Sequence, residues 1–142
     1  MKKRTAKAHW KGKIKEGKGR LTLGSGAYDG NYSFGSRFEE EPGTNPEELI
    51  GAAHAGCFSM ALSLMLEQAG FPPKDIQTQA SVTLDQVNGT FRIVRIDLET
   101  EADVPGIDQV KFLEQAENAK ENCPVSQALK SVEIFLKAKL KG

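Results

Sequence analysis

Cysteine is scarce in this chain, with only Cys57 and Cys123 among 142 residues, and histidine is as rare, with His9 and His54. Four such residues would suffice for a zinc site by count. None shows the paired spacing that zinc modules use, so neither a metal nor a cofactor is expected. An excess of one charge is also lacking: 19 basic and 19 acidic residues give a formal net charge of +0. That balance removes the electrostatic basis for non-specific nucleic-acid binding. The basic start, MKKRTAKAHW, is not followed by the apolar segment of a signal peptide, so a soluble cytoplasmic chain is expected. No repeat, low-complexity segment or strong boundary interrupts the sequence. Its length suits one domain over residues 1–142, with a core large enough to need no covalent staple.

Only one long apolar run exists. Residues 49–66, LIGAAHAGCFSMALSLML, carry no charge and just reach the length of a short membrane span. Gly51, His54, Gly56, Ser59 and Ser63 interrupt the run, and Glu47, Glu48 and Glu67 flank it. Apolar character all round with small residues is expected of a helix buried in protein, and that reading excludes a membrane partner.

Cys57 lies inside this run, whereas Cys123 directly precedes Pro124 at the start of another helix. A pair of thiols in such different settings suits oxidation chemistry. The alternatives are a structural disulfide or two inert core thiols. In a cytoplasmic setting two cysteines are more often free or redox-active than permanently bridged. A bridge over so long a loop would contribute roughly 4 kcal/mol, which a core of this size does not require.

Alternation predicts strands over 6–10, 19–23 and 32–37, with Gly24-Ser25-Gly26 and Asp29-Gly30-Asn31 as turns. Asn45 as N-cap, Pro46 in the first turn and Glu48 at the reciprocal capping position predict a helix that runs to about Ala69, where Gly70 and Pro72-Pro73 stop it. Strands over 76–87 and 90–101 flank Asn88-Gly89, the pair favoured in a type I′ turn. A helix over 107–121 would bury Val110, Leu113 and Ala116 or Ala119. A short helix from Pro124 to about Leu129 and a strand over 132–140 complete the chain. The order β-β-β-α-β-β-α-α-β is α+β, with the first helix buried at its centre.

Local physics divides the thiols. Cys123 at a helix N-cap faces unpaired N–H groups and the positive end of a dipole, which favour thiolate. Cys57, inside an apolar helix, has its thiol pKa raised by burial. On these grounds Cys123 would be the nucleophile, and Cys57 would need a cation brought to it by the fold. Arg37 and Arg20 are the candidates, although each is more often a solvated charge. His54 and Cys57 stand one helical turn apart, so a Cys-His nucleophile pair is conceivable; a packed core histidine is the favoured reading. The glycine-rich pieces GKGR and GSG lack a strand-loop-helix context and read as turns.

The segment SRFEEEPGTNPEELIGAAHAGCFSMALSLML, followed later by NCPVSQAL, resembles the OsmC/Ohr family of thiol peroxidases, and within it the osmotically inducible OsmC branch. The likeness extends from the early strands through the VNG hairpin and VPGID to the final strand. It implies reduction of organic hydroperoxides to alcohols and water by a cysteine pair. By matching motif positions, Cys57 is then the peroxidatic cysteine, Cys123 the resolving one, Arg37 the activating cation and Glu47 its holder. Other branches draw the arginine from an earlier loop near Arg20. The resemblance further implies an intertwined homodimer with composite active sites and a dithiol reductant of lipoyl type.

These roles make coherent chemistry. Arg37 would lower the Cys57 thiol pKa and donate hydrogen bonds to the peroxide, while Glu47 fixes the guanidinium in a bidentate pair. The Cys57 sulfenic acid would condense with Cys123, and the dithiol would reopen the disulfide. Phe58 and Met60 offer apolar surface for an alkyl peroxide, or simply pack in the core. Glu47 and Cys57 are ten residues apart, about 15 Å on a straight helix. Either that helix breaks near Gly51 or Gly56, or the Arg37-Glu47 pair serves the thiols of a partner subunit. A second reading makes the protein a redox-responsive binding switch with little turnover, and a third a structural stress protein with inert thiols.

Overall fold

In the computed structural model, which describes residues 1–142, ten elements follow in the order β-β-β-α-α-β-β-α-α-β. They form two compact units, Met1–Leu49 and Ile50–Gly142.

The first unit carries an antiparallel meander of β1 (Ala6–Lys11), β2 (Lys18–Leu23) and β3 (Asp29–Tyr32). Trp10, Gly19 and Tyr32 lie side by side across the three strands. The Trp10 and Tyr32 rings close over Gly19 with centroids 5.5 Å apart, and a Cβ there would collide with both rings. The third strand lies earlier than the alternation predicts. Asp29-Gly30-Asn31 is strand rather than turn, and Phe34–Phe38 is a short helix, α1. The cause is local: the Ser33 Oγ accepts the Ser36 N–H while the Ser36 Oγ accepts the Ser33 N–H. This reciprocal cap ties up the two backbone donors that an extended chain would offer to a sheet.

Helix α2 (Pro46–Gln68) begins in the first unit and continues into the second. Asn45 Oδ1 accepts the Glu48 N–H at 2.7 Å, as an N-cap should, whereas the Glu48 carboxylate turns to the Thr44 hydroxyl at 2.8 Å. The helix ends at Gly70, whose φ of 91° allows Phe71 N–H to reach the Leu66 carbonyl and Gly70 N–H the Glu67 carbonyl. It is unbroken at Gly51 and Gly56. By length and composition it could cross a membrane, and in the single chain its burial is confined to one side. Gly51, His54, Phe58, Leu62 and Leu66 form one buried stripe. The opposite stripe, Ala53, Gly56, Met60 and Leu64, is exposed, with Met60 at 77% and Leu64 at 54%. The helix expected to be buried all round is thus buried on one side and apolar on both.

In the second unit, β4 (Asp75–Val87) and β5 (Thr90–Asp103) form the expected hairpin, with Asn88 and Gly89 both at positive φ. Val94 is the extra residue of a bulge, because Thr83 pairs with Arg95 and Leu84 with Ile93. β6 (Glu133–Leu140) adds parallel to β5, which places β5 in the centre of the sheet. A parallel neighbour requires a crossover, here α3 (Gln109–Asn122) and α4 (Pro124–Ala128). Phe58, Leu62 and Leu66 of α2 share one core cluster with Ile96, Leu98 and Ala102 of β5 and Phe112, Ala116 and Ala119 of α3. Burying each large side chain of this set contributes roughly 1.5–3 kcal/mol before entropy is counted. The buried face of α3 differs from the expected one: Val110 and Leu113 are exposed, and Phe112 leads the i, i+4, i+7 series that continues to Cys123. The Asp108 side chain accepts the Lys111 N–H and starts the helix two residues later than predicted, while packing against the sheet and α2 selects the Phe112 stripe for the core.

Candidate active site

Two groups of sequence-predicted residues emerge, one in each unit. In the first, Arg37 occupies the last turn of α1, and Glu47 the first turn of α2. Arg37 Nε donates to Glu47 Oε1 at 3.0 Å and Nη2 to Oε2 at 2.9 Å. This is the bidentate fork that a guanidinium and a carboxylate favour. The Glu47 side chain is nearly enclosed and that of Arg37 about one-third exposed, so the carboxylate holds the arginine from the protein side and leaves an edge to solvent. The unexpected helix α1 places Arg37 there. Arg20 is engaged elsewhere, with Nε on Asp29 Oδ1 at 2.7 Å and Nη1 on Asn31 Oδ1 at 3.4 Å, within its own sheet.

In the second unit the two cysteines meet, and both are free. The Cys57 thiol contacts that of Cys123 and accepts the backbone N–H of Val125. Cys123 ends α3 and caps α4, and its Sγ accepts the Ser126 N–H at 3.3 Å. The segment CPVS thereby divides its first-turn donors. Pro124 has none to offer, Val125 N–H serves Cys57, and Ser126 N–H serves Cys123. Burial pushes the Cys57 thiol up, the Val125 N–H opposes that, and Cys123 raises it further. Within its own unit, Cys57 is therefore held as thiol.

The exposures of the two sulfurs are opposite to the reactivities that local sequence suggests. Cys57 is partly exposed, while Cys123 is wholly buried. His54 does pack in the core, and its Nε2 lies 2.8 Å from Ser126 Oγ. Its Nδ1 has no partner, and burial lowers its pKa below the ordinary 6.5. Ser126 Oγ also receives the Cys123 thiol at 3.2 Å. Ser126 and the Val125 amide were not singled out from the sequence. Cys-Pro followed by serine at the third helical position was the available sign, because an N-cap side chain pairs there. Phe58 is fully buried core, and Met60 belongs to the exposed face of α2.

Comparisons with known proteins agree on one family. A family model described as "OsmC-like protein" matches residues 38–137. Peroxiredoxin OsmC of Escherichia coli is 56% identical over 136 residues, covering 95% of this chain and 94% of that protein. The organic hydroperoxide resistance protein OhrB of Bacillus subtilis is 30% identical over 125 residues, covering 85% and 89%. The crystal structure of the OhrB protein matches with a TM-score of 0.69 at 27% identity, over 96% of this chain and 98% of that one.

Proposed function

The chain belongs to the OsmC-like protein family, and on that premise we propose that it is a cysteine-based peroxidase that reduces organic hydroperoxides. The observation that carries this reading is the pair of free thiols in contact, one partly exposed and one buried. A peroxide must touch the sulfur that attacks it, and of the two cysteines Cys57 is the one that is not fully buried. Its thiolate takes the terminal peroxide oxygen, the O–O bond breaks, and the alkoxide leaves as alcohol with one proton. Cys123 then displaces hydroxide from the Cys57 sulfenic acid, forming a disulfide and water. A dithiol of lipoyl type reopens the disulfide and is itself oxidised, so one hydroperoxide and one dithiol give one alcohol, one water and one dithiol disulfide. A cytoplasmic compartment keeps both thiols reduced between turnovers.

Arg37 is the cation that ionises Cys57 and donates to the peroxide, and Glu47 fixes its orientation. Because α2 is unbroken, ten residues of helix separate Glu47 from Cys57, a rise of about 15 Å. The pair therefore acts on the thiols of a second subunit in a homodimer with two composite sites. The apolar stripe of Ala53, Gly56, Met60 and Leu64 is a surface such a dimer would cover.

The test is consumption of an alkyl hydroperoxide with excess dithiol by wild type, Cys57→Ser and Cys123→Ser. Wild type turns over repeatedly, and Cys57→Ser does not turn over at all. Activity that survives Cys57→Ser refutes the assignment. A single stoichiometric disulfide without further turnover identifies a redox switch instead.

A further inference from the structure

We propose that Ser126 and His54 form a buried proton relay for the resolving thiol, from Cys123 Sγ–H to Ser126 Oγ and from Ser126 Oγ–H to His54 Nε2. The relay deepens the peroxidase reading and rests on its disulfide step. Three groups from α2, the α3–α4 joint and α4 meet away from the surface: Cys123 and His54 are fully buried and Ser126 is 3% exposed. The distances are 3.2 Å from sulfur to hydroxyl and 2.8 Å from hydroxyl to imidazole, both within hydrogen-bond range.

Donor order follows from the two ends. The Cys123 thiol donates to Ser126 Oγ, so the serine's own hydrogen is free for His54 Nε2. The imidazole then has a lone pair on Nε2 and its hydrogen on Nδ1. A histidine kept only for packing usually ties its second nitrogen to a carbonyl or carboxylate, which fixes the tautomer. Here Nδ1 is buried with no partner, so nothing on that side dictates which nitrogen carries the hydrogen. Burial also keeps the ring neutral, which is the state that accepts a proton, and no ionised side chain contributes to that shift. The titratable groups along the relay are Cys57 and Cys123 themselves.

The resolving step needs such an acceptor. Cys123 is enclosed, so bulk water cannot take its proton as the sulfur attacks. As the S–S bond forms and the S–O bond of the Cys57 sulfenic acid breaks, the thiol proton moves through Ser126 to His54. It is then delivered to the departing hydroxide, giving water with no net gain or loss of protons. Ser126 touches the reacting sulfur, and His54 acts through it as a positioning and proton-holding residue.

The experiment is a single turnover of the reduced full-length protein with one equivalent of tert-butyl hydroperoxide. Samples are quenched with dimedone for sulfenate and N-ethylmaleimide for thiol, then read by intact mass. In Ser126→Ala, sulfenate forms within about twofold of the wild-type rate, while disulfide closure slows by about 10²-fold, the lower end of general-base effects. His54→Gln, which keeps a hydrogen-bonding group but no comparable base, shows the same split. Ser126→Thr retains the hydroxyl and restores closure to within about fivefold. Closure at the wild-type rate in Ser126→Ala, or Ser126→Thr as slow as Ser126→Ala, overturns the relay. Equal slowing of both steps assigns Ser126 a structural role and also overturns it. A wild type that accumulates sulfenate and never closes overturns the disulfide reading beneath the relay, and in that case the variants match the wild type.

Discussion

Glu47→Gln separates holding an arginine from holding a fold. The native carboxylate accepts two hydrogen bonds from Arg37, at 3.0 and 2.9 Å. The amide keeps one oxygen to accept one of them, but loses the charge and turns its NH2 towards a guanidinium that has nothing to offer it. A fully buried pair broken on one side costs about 3–5 kcal/mol, and an exposed pair about 0.2–1. With side-chain exposures of 10% for Glu47 and 35% for Arg37, solvent screens one partner, and the cost falls to about 1–2 kcal/mol. Unfolding entropy of about 2.1 cal/mol/K per residue makes that a fall in melting temperature of about 3–7 °C. The chemical step should suffer more. Arg37 freed from its fork no longer presents a fixed pair of donors, and the rate of Cys57 oxidation should drop about 10–100-fold, or about 1.4–2.7 kcal/mol of barrier. Stopped-flow thiol oxidation with an alkyl hydroperoxide gives the rate, and calorimetry of the same sample gives the stability. A variant whose melting point falls as stated but whose Cys57 is oxidised at the wild-type rate would refute the role of the pair.

Three further outcomes follow from particular contacts. Replacing Arg37 by Met should move the pH midpoint of Cys57 oxidation upward, because burial already raises that thiol and the proposed counter-charge is gone; a midpoint that stays put argues against Arg37. His54 has a pKa lowered by burial, so its contribution to stability is full above the ordinary value of 6.5 and is lost as pH falls through the folded value. Urea midpoints between pH 7 and 4.5 should decline in wild type and decline less in His54→Gln, and parallel curves would exclude His54 as the cause. Met60→Lys, at a site 77% exposed in the single chain, should leave the circular dichroism unchanged while converting a dimer to monomer in light scattering. A dimer that persists places the subunit contact elsewhere.

Features with a short-range cause were legible in the sequence. Asn88-Gly89 fixes a hairpin through positive φ at both residues, Asn45-Pro46 opens a helix, and Cys123-Pro124 opens another. The errors arose where two periodicities compete over a few residues. Residues 32–37 alternate like a strand, but the Ser33 and Ser36 side chains capture each other's backbone N–H and close a helical turn. In α3, Val110 and Leu113 three apart and Phe112 and Ala116 four apart are both helical spacings, and only the packed sheet decides which stripe turns inward. The site divided in the same way. The partner of Arg37 was readable from a motif, whereas the Ser126 hydroxyl meets His54 from 72 positions away, a separation that no local pattern encodes.

The two sulfurs also show why a helix N-cap alone does not select the attacking thiol. The first turn of α4 gives one N–H to each sulfur, Val125 to Cys57 and Ser126 to Cys123, so that turn does not favour one thiol by number of donors. What differs is access and proton traffic. Cys57 is partly exposed and burial raises its thiol pKa, so in the proposed mechanism a cation from outside its unit would ionise it. Cys123 has no solvent but a hydroxyl and an imidazole in series. Under the proposed roles, a peroxide would reach the first sulfur and not the second, whereas the internal base would serve the second and not the first. If both assignments hold, loss of Arg37 should slow sulfenate formation and loss of Ser126 should slow disulfide closure, and the double variant should show each defect at its single-variant size. Defects that merge into one would mean that the two steps share a group not yet identified.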